Sequence, residues 1–495
     1  MNVLSLFKKI AYCSCIPVLF SSCNQGNKTL NVTVKEVGTL YKQCYDKDWA
    51  NAKKLAITGP INENDIAFIK AIDNNGLEEL DLSKADIQHL KFYFDFNKFS
   101  TIVLPNRVET ISPEAFQCCT NLKEIRINKD NTKFISIDGV LYSADTTRLV
   151  VYPAKLQNKT YTIPAKVTSI SNCMFAQADS IAEFKVEEGN KVLTATNGVL
   201  YSKDKKILVA YPANKKDTTF VLPAEVEHIS WTAFWGAKSL KSITVDKKNT
   251  NYKSVNGVLI DQSNKLLCVP AGRETETFTL PQCVTNIGTY AFQSSPVKKL
   301  VLNDSLYKLD KWALHGSQID AIETANNKNM TVSDGVLYIG KTAFTCAPSY
   351  KGHVKLKETI SIDERAFQRS QFEEITVTPS MVIGPFFCSY NNKLKKATFE
   401  EGIETAKGLG AFYCCTGLEE VDLPSTFNLI TNRMFLGCIS LKSITVRAEN
   451  IPEIERHAFD GVDLQNCTLY VPAKSIEKYK SNEDWCQFKN IKAIK

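Results

Sequence analysis

The chain has 495 residues, of which 44% are hydrophobic, 10% aromatic and 23% charged, a globular composition that excludes collagen-like, coiled-coil and wholly disordered classes. Sixty basic against 53 acidic side chains leave a net charge of +7 without a Lys/Arg block, so no nucleic acid is expected as a partner. Sixteen cysteines in so long a chain fall well short of a disulfide scaffold, and length alone suggests either three or four domains or one repetitive one.

Residues 1–22 read as a targeting segment. Lys8 and Lys9 precede an apolar run from Ile10 to Phe20, then Ser21-Ser22 before Cys23, which is the order of a secretory signal. The run is shorter than the roughly 20 residues that span a bilayer. Leu19-Phe20-Ser21-Ser22-Cys23 resembles the bacterial lipobox, although Phe20 departs from the usual Leu. The resemblance implies lipidation at Cys23, whose acyl chains would supply the two signals that stable membrane anchoring needs. Loss of Lys8 and Lys9 with the signal lowers the net charge to +5.

Residues 23–76 are expected to form a tether and an α/β cap. Val32-Thr33-Val34, Leu40 to Trp49, Leu55 to Gly59 and Asp65 to Ile69 read as strand, helix, strand and helix. Phe92, Phe94, Phe96 and Phe99 have a near-twofold period that predicts a strand joining this cap to the solenoid.

Residues 77–472 repeat. Aligned on an Ala-Phe or similar pair, Phe116, Phe175, Phe234 and Phe292 follow one another at 58 or 59 residues; Phe367, Phe387, Phe412, Phe435 and Phe459 follow at 20 to 25. The long unit is the short one carrying an insertion. Each insertion holds an Asp/Asn-Gly turn before a β-branched and aromatic run, at Asp138-Gly139, Asn197-Gly198, Asn256-Gly257 and Asp334-Gly335, and is predicted to be a β-hairpin. After each anchor come runs such as Leu122-x-x-Ile125-x-Ile127 and Leu418-x-x-Val421-x-Leu423, short strands with one apolar face that only stacking can bury. The predicted fold class is an α/β repeat solenoid: a leucine-rich-repeat parallel sheet with short helices or turns, inserted β-hairpins and a cap at both ends. Residues 473–495, with Trp485, Phe488 and Ile491, would close the far end.

Val108-x-x-Ile111-x-x-x-Ala115-Phe116-x-x-Cys119-x-x-Leu122, its copies and the Asp/Asn-Gly-Val-Leu-Tyr insertions resemble the BspA-type leucine-rich-repeat surface proteins of bacteria over roughly residues 77–495. The resemblance implies a lipid-anchored or secreted solenoid that attaches to proteins or glycans of host or neighbouring cells. Asn24 to Lys28 hold no acidic residue, however, whereas acidic residues directly after the lipidated cysteine favour export to the outer surface in such bacteria. A periplasmic or surface accessory lipoprotein that scaffolds an envelope complex is therefore the alternative, with envelope proteins as partners. Both place the chain in the cell envelope, at the outer membrane.

No constellation calls for catalysis, a metal or a cofactor. The residue three after the anchor is Cys119, Ala178, Ala237, Ser295, Ser317, Ser370, Tyr390, Cys415, Cys438 and Val462, a column that selects small side chains, so its cysteines read as buried packing. Five dispersed histidines and adjacent carboxylate pairs such as Glu373-Glu374 match neither zinc spacing nor glycosidase geometry. One anomaly stands out: Trp231 and Trp235 occupy columns that are polar in most other repeats, and Tyr290, Trp312, His228 and His315 lie nearby. These six are candidate ligand-binding residues, because aromatic anchors dominate recognition hot spots. The competing expectation is that the rings pack beneath the neighbouring hairpins.

Overall fold

A computed structural model describes residues 28–494 apart from 45, 46, 48, 75, 93, 95–97, 113, 114, 117, 172, 173, 177, 358–360, 380, 381 and 407; the signal segment and Cys23 lie outside the described residues. The chain forms a leucine-rich-repeat β-solenoid of about 20 turns with parallel sheets and very little helix. At its start, strand β1 (Thr29–Thr33), helix α1 (Leu40–Cys44), strand β2 (Lys54–Gly59) and helix α2 (Glu63–Asn74) lead into strand β3 (Glu79–Ala85). β1, β2, β3, Thr101–Val103 and Glu124–Arg126 form one parallel sheet. A seven-stranded sheet running from His353–Lys355 to Asn490–Ala493 forms the other end. Between them the main sheet is cut into pieces of two, two and three strands.

The cuts fall where the insertions lie. Phe134–Ile137, Val140–Ser143 and Arg148–Val151 pair antiparallel in order, and the other three insertions repeat this. The expected hairpins are therefore three-stranded meanders, whose last strand pairs in parallel with a short strand of the next coil, such as Ser169–Ile170. Asp138 and Gly139 sit at φ 50° and 81°, the two left-handed positions of a type I′ turn. Thr160–Ile163, Thr219–Leu222 and Thr277–Thr279 are main-sheet strands just beyond insertions. Sequence reading did not single them out, which is why the turns outnumber the anchors.

Most main strands bury a central residue: Ile125, Ile243, Leu300, Ile375 and Ile444 are all 0% exposed, while Phe220 and Ile491 are half-buried. Each such side chain contributes roughly 1.5–3 kcal/mol of burial. Cys119, Cys415 and Cys438 are buried, and their thiols donate to backbone carbonyls of the preceding coil at 3.3, 3.0 and 3.2 Å. A second inter-coil tie is made by asparagine. Asn190 Nδ2 donates to the Pro164 and Val167 carbonyls at 3.0 and 2.9 Å, while its Oδ1 accepts from the N–H groups of Val192 and Leu193. Asn249 repeats this set, and Asn131, Asn303 and Asn327 make the same paired reach to the preceding coil. A buried amide that satisfies both its ends fixes register as well as spacing.

Opposite the main sheet, the later coils turn on two left-handed residues, two before and two after the anchor: Tyr290 and Ser294 around Phe292, Trp312 and Gly316 around Leu314, Arg365 and Arg369 around Phe367, Arg433 and Gly437 around Phe435. In one coil they are Phe386 and Tyr390, so its centre is Cys388, one residue after Phe387. Tyr390 accordingly leaves the small column, and Asn391, 0% exposed, takes its place. Likewise Phe92, Phe94 and Phe99 form no strand. The Phe94 amide donates to the Ala115 carbonyl and its ring stacks on Phe116 at 5.2 Å, because Phe94 is the anchor of an additional coil.

At the far end, helix α3 (Ile476–Ser481) brings Tyr479 under the last coil, where its hydroxyl donates to the Ala448 carbonyl at 3.0 Å; Trp485 Nε1 donates to the Pro452 carbonyl at 2.8 Å. The other end reaches further than a cover for the first repeat. α2 sets Ala67, 2% exposed, against Tyr413, Cys414 and Leu436. Glu63 pairs with Arg433 at 3.1 Å, and Asn64 Nδ2 donates to Asp460 Oδ2 at 3.4 Å. Arg369 reaches Cys118 Sγ at 3.5 Å across 251 residues of chain. The turn face of the late coils thus folds back onto the cap and the first coils, and the solenoid closes on itself.

Candidate functional site

The turn face carries a run of aromatic rings. Tyr290 is its centre: one face stacks on Trp231 at 5.3 Å and 23°, the other on Trp312 at 5.8 Å and 26°. Trp235 and His315 meet the Tyr290 edge at 5.0 and 5.5 Å. Each such pair adds about 0.5–1.5 kcal/mol beyond its burial. Trp235 is 7% exposed and packs on Ala176 of the preceding coil, whereas Trp231 and Trp312 keep 43% and 38% of their surface in solvent. Trp231 and Trp312 therefore do not lie beneath the hairpins. Trp235 serves the stack from inside, and Trp231 presents a ring outward.

Tyr290 and Trp312 occupy left-handed positions, at φ 57° and 59°, where an L side chain costs roughly 1–2 kcal/mol. Gly410, two residues before Phe412, holds the equivalent position in its coil at no such cost. An aromatic placed there must return that cost through contacts of its ring.

Beside the stack lies a groove of about 420 Å³. One wall is Trp231, Trp235 and Tyr290; the other is the third inserted meander, through Tyr252, Leu259 and Leu267. Glu227, Asp261 and Asp310 face a single cation, Lys265. Lys265 pairs with Asp310 at 2.9 Å. Burial opposes the ionisation of Asp310, but hydrogen bonds and charge from Lys265 and Lys308 outweigh it and hold the carboxyl below its ordinary 3.8. With three acids against one base, the groove suits neutral polar or cationic groups better than anions.

Of the six residues singled out in the sequence, five converge here. His228 does not: it is exposed on the strand His228–Ile229, and its neighbours Glu227 and Ile229, not His228, line the groove. Alternation along a strand sends it to the opposite side. The meander wall was missed, because its residues lie 17 or more positions from Trp235. Among the described residues no three His, Cys, Asp or Glu side chains gather to hold a metal ion, and no helix is long and apolar enough to cross a membrane.

The BspA type leucine rich repeat region family model matches residues 64–143, 271–381, 322–409 and 408–492, together more than half of the chain. No curated protein matches significantly. Similar solved structures include a leucine rich cell surface protein of Faecalibacterium prausnitzii, 18% identical over 78% of this chain and 85% of that one, with a TM-score of 0.28. The pneumococcal vaccine antigen PcpA is 15% identical over 85% of each chain, with a TM-score of 0.29. A leucine-rich repeat protein of Bacteroides ovatus is 18% identical over 89% of this chain and 88% of that one, with a TM-score of 0.19. At these identities and scores the three carry no argument about a ligand.

Proposed function

Since the chain belongs to the BspA-type leucine-rich-repeat family, we propose that it is a non-enzymatic, lipid-anchored cell-envelope protein that recognises proteins or glycans through the turn face of its solenoid. The observation that carries this reading is the Trp231–Tyr290–Trp312 stack beside the 420 Å³ groove. Two of its rings are held outward at 43% and 38% exposure, and Trp312 stands at a left-handed position where glycine would be less strained. Trp231, Tyr290 and Trp312 form the anchor, Trp235 and His315 brace it, and the inserted meander gives the groove its second wall and its selectivity.

The test is capture by the soluble chain from Asn24, against matrix proteins, glycans and the cell's own envelope extract. Trp231→Ala with Trp312→Ala should weaken capture at least about tenfold, in line with removal of hot-spot rings, while circular dichroism and the urea midpoint stay as in the parent. Capture that survives the double substitution sinks the reading. Trp235→Ala is the wrong probe, because that ring is buried. The absence of acidic residues between Asn24 and Lys28 favours a second reading, an accessory lipoprotein facing the periplasm. Protease shaving of intact cells separates the two: a protected chain excludes direct contact with other cells.

A further inference from the structure

Where the solenoid closes, α2 and the first coils meet the late coils around a second cavity, of about 240 Å³. It is smaller than the roughly 300 Å³ at which pockets for drug-sized ligands begin, so it has room for one small molecule or one sugar unit. Its charge is opposite to that of the aromatic groove. Among the described lining residues, Lys70 and Lys91 come from the early chain and Arg365 and Arg433 from the late coils, against the Glu63 carboxylate; outside the lining, Arg365 also pairs with Glu364 at 3.6 Å. Lys70 is 6% exposed, with its ammonium 3.9 Å from the Tyr390 ring centroid. Arg433 is bound to Glu63 by one terminal nitrogen, yet its Nε is buried without a hydrogen-bond partner among the described residues. Arg365 spreads its guanidinium 5.6 Å from the Phe386 ring. Burial, foremost, pushes the Tyr413 phenol well up, so its hydroxyl stays protonated.

We propose that this cavity binds a small anion borne on a ring, specifically a pyranose carrying a carboxylate or a phosphate. The cations supply the charge and the forked donors that such groups require, and Phe386, Tyr390 and Tyr413 supply apolar faces for the ring. Arg433 Nε, buried without a hydrogen-bond partner among the described residues, gains most from a ligand that brings it an acceptor. Because the early and late chain each contribute half of the site, it exists only in the closed solenoid. Ligand binding and closure are then linked, and the bound anion stabilises the closed form by mass action.

The experiment is calorimetric titration of the chain from Asn24 with D-glucuronate, with glucose 6-phosphate and with glucose, at low and at raised NaCl. Saturable binding of at least one of the two anionic sugars is expected, weakened by salt, with none for glucose; the stronger of the two anions tells carboxylate from phosphate. Arg365→Gln, which leaves the Glu63–Arg433 pair and the Ala67 contact in place, should weaken that binding about tenfold, and Lys70→Gln at least as much. Hydrogen exchange of α2 should slow in the presence of the bound sugar in the parent chain. The proposal is overturned if neither anion binds, if glucose binds equally well, or if Arg365→Gln binds as the parent does.

Discussion

One repeat column meets two fates in this molecule. From Trp231 to Trp312 the turn face is open, and its rings end in solvent; from Arg365 to Arg433 the same face is covered by α2 and the first coils. The coils of Phe292 and Leu314 in the open half and of Phe367 and Phe435 in the covered half share one backbone, with left-handed residues two positions either side of the coil centre. What differs is the side chains and what lies opposite. The open half has stacked aromatics beside an acidic groove, and the covered half mixes arginines with Phe386, Tyr390 and Tyr413 facing a helix that brings Glu63, Ala67 and Lys70. A repeat thus fixes where a side chain stands, while the path of the whole chain decides whether that place is interior or surface.

Substitutions can sharpen or break that contrast. Tyr413, 9% exposed, is expected to cost about 3–5 kcal/mol when cut to Ala, as buried aromatics do. Trp231→Ala should cost less than about 1 kcal/mol, because its ring is already 43% in solvent. Urea denaturation of the two variants measures both, and equal losses would erase the distinction between covered and open halves.

A smaller effect should appear with pH. The Asp65 carboxylate accepts from the amides of Gly38 and Leu40 at 2.7 and 2.8 Å. Burial, and to a lesser degree the charge of Asp460, raises its pKa above the ordinary 3.8 against those hydrogen bonds. The folded cap therefore holds this proton more tightly than the unfolded chain does. The resulting stabilisation is fully present below about pH 3.8 and is lost as pH rises through the raised value. Amide exchange of α2, corrected for intrinsic rates, should slow on acidification across that window, and Asp65→Asn should flatten the response. No change in the Asp65-dependent slope would show that the cap does not feel this proton.

The smallest effect belongs to Glu63→Gln. Its carboxylate is 65% exposed and the Arg433 side chain 27%, so the pair is worth at most about 1 kcal/mol and should fade with salt. The change should loosen α2 slightly and leave the Trp231 region untouched. A loss of several kcal/mol would mean that the pair, not the Ala67 contact, holds the closure.

Much of this architecture was legible because repetition leaves a trace. The anchors, the small column that buries Cys119, Cys415 and Cys438, and the Asp/Asn-Gly turns recur at fixed offsets, and each offset corresponds to a place in a coil. The asparagine tie was equally available: Asn131, Asn190, Asn249 and Asn327 each stand seven residues before an Asp/Asn-Gly pair. Phe387 misled because an aromatic and a cysteine are adjacent there, and only the backbone angles at Phe386 and Tyr390 show which one centres the coil. The groove beside Trp231 was half legible: its rings broke a column, while its opposite wall came from an insertion legible only as a hairpin, with nothing to show which rings it would face. The contact of α2 with the late coils left no trace at all. Glu63 and Arg433 are 370 residues apart, and nothing periodic connects them.

That contact has a consequence for how such a chain can change. An open stack of coils is a string of beads, and gaining or losing one bead leaves the rest where they were. Here Ala67 must arrive opposite Tyr413, and removing one coil between them would displace the late turn face by roughly 4.8 Å along the stack. The number of coils is then a quantity that the fold counts, and the closed arrangement permits single-residue change far more readily than change by whole repeats.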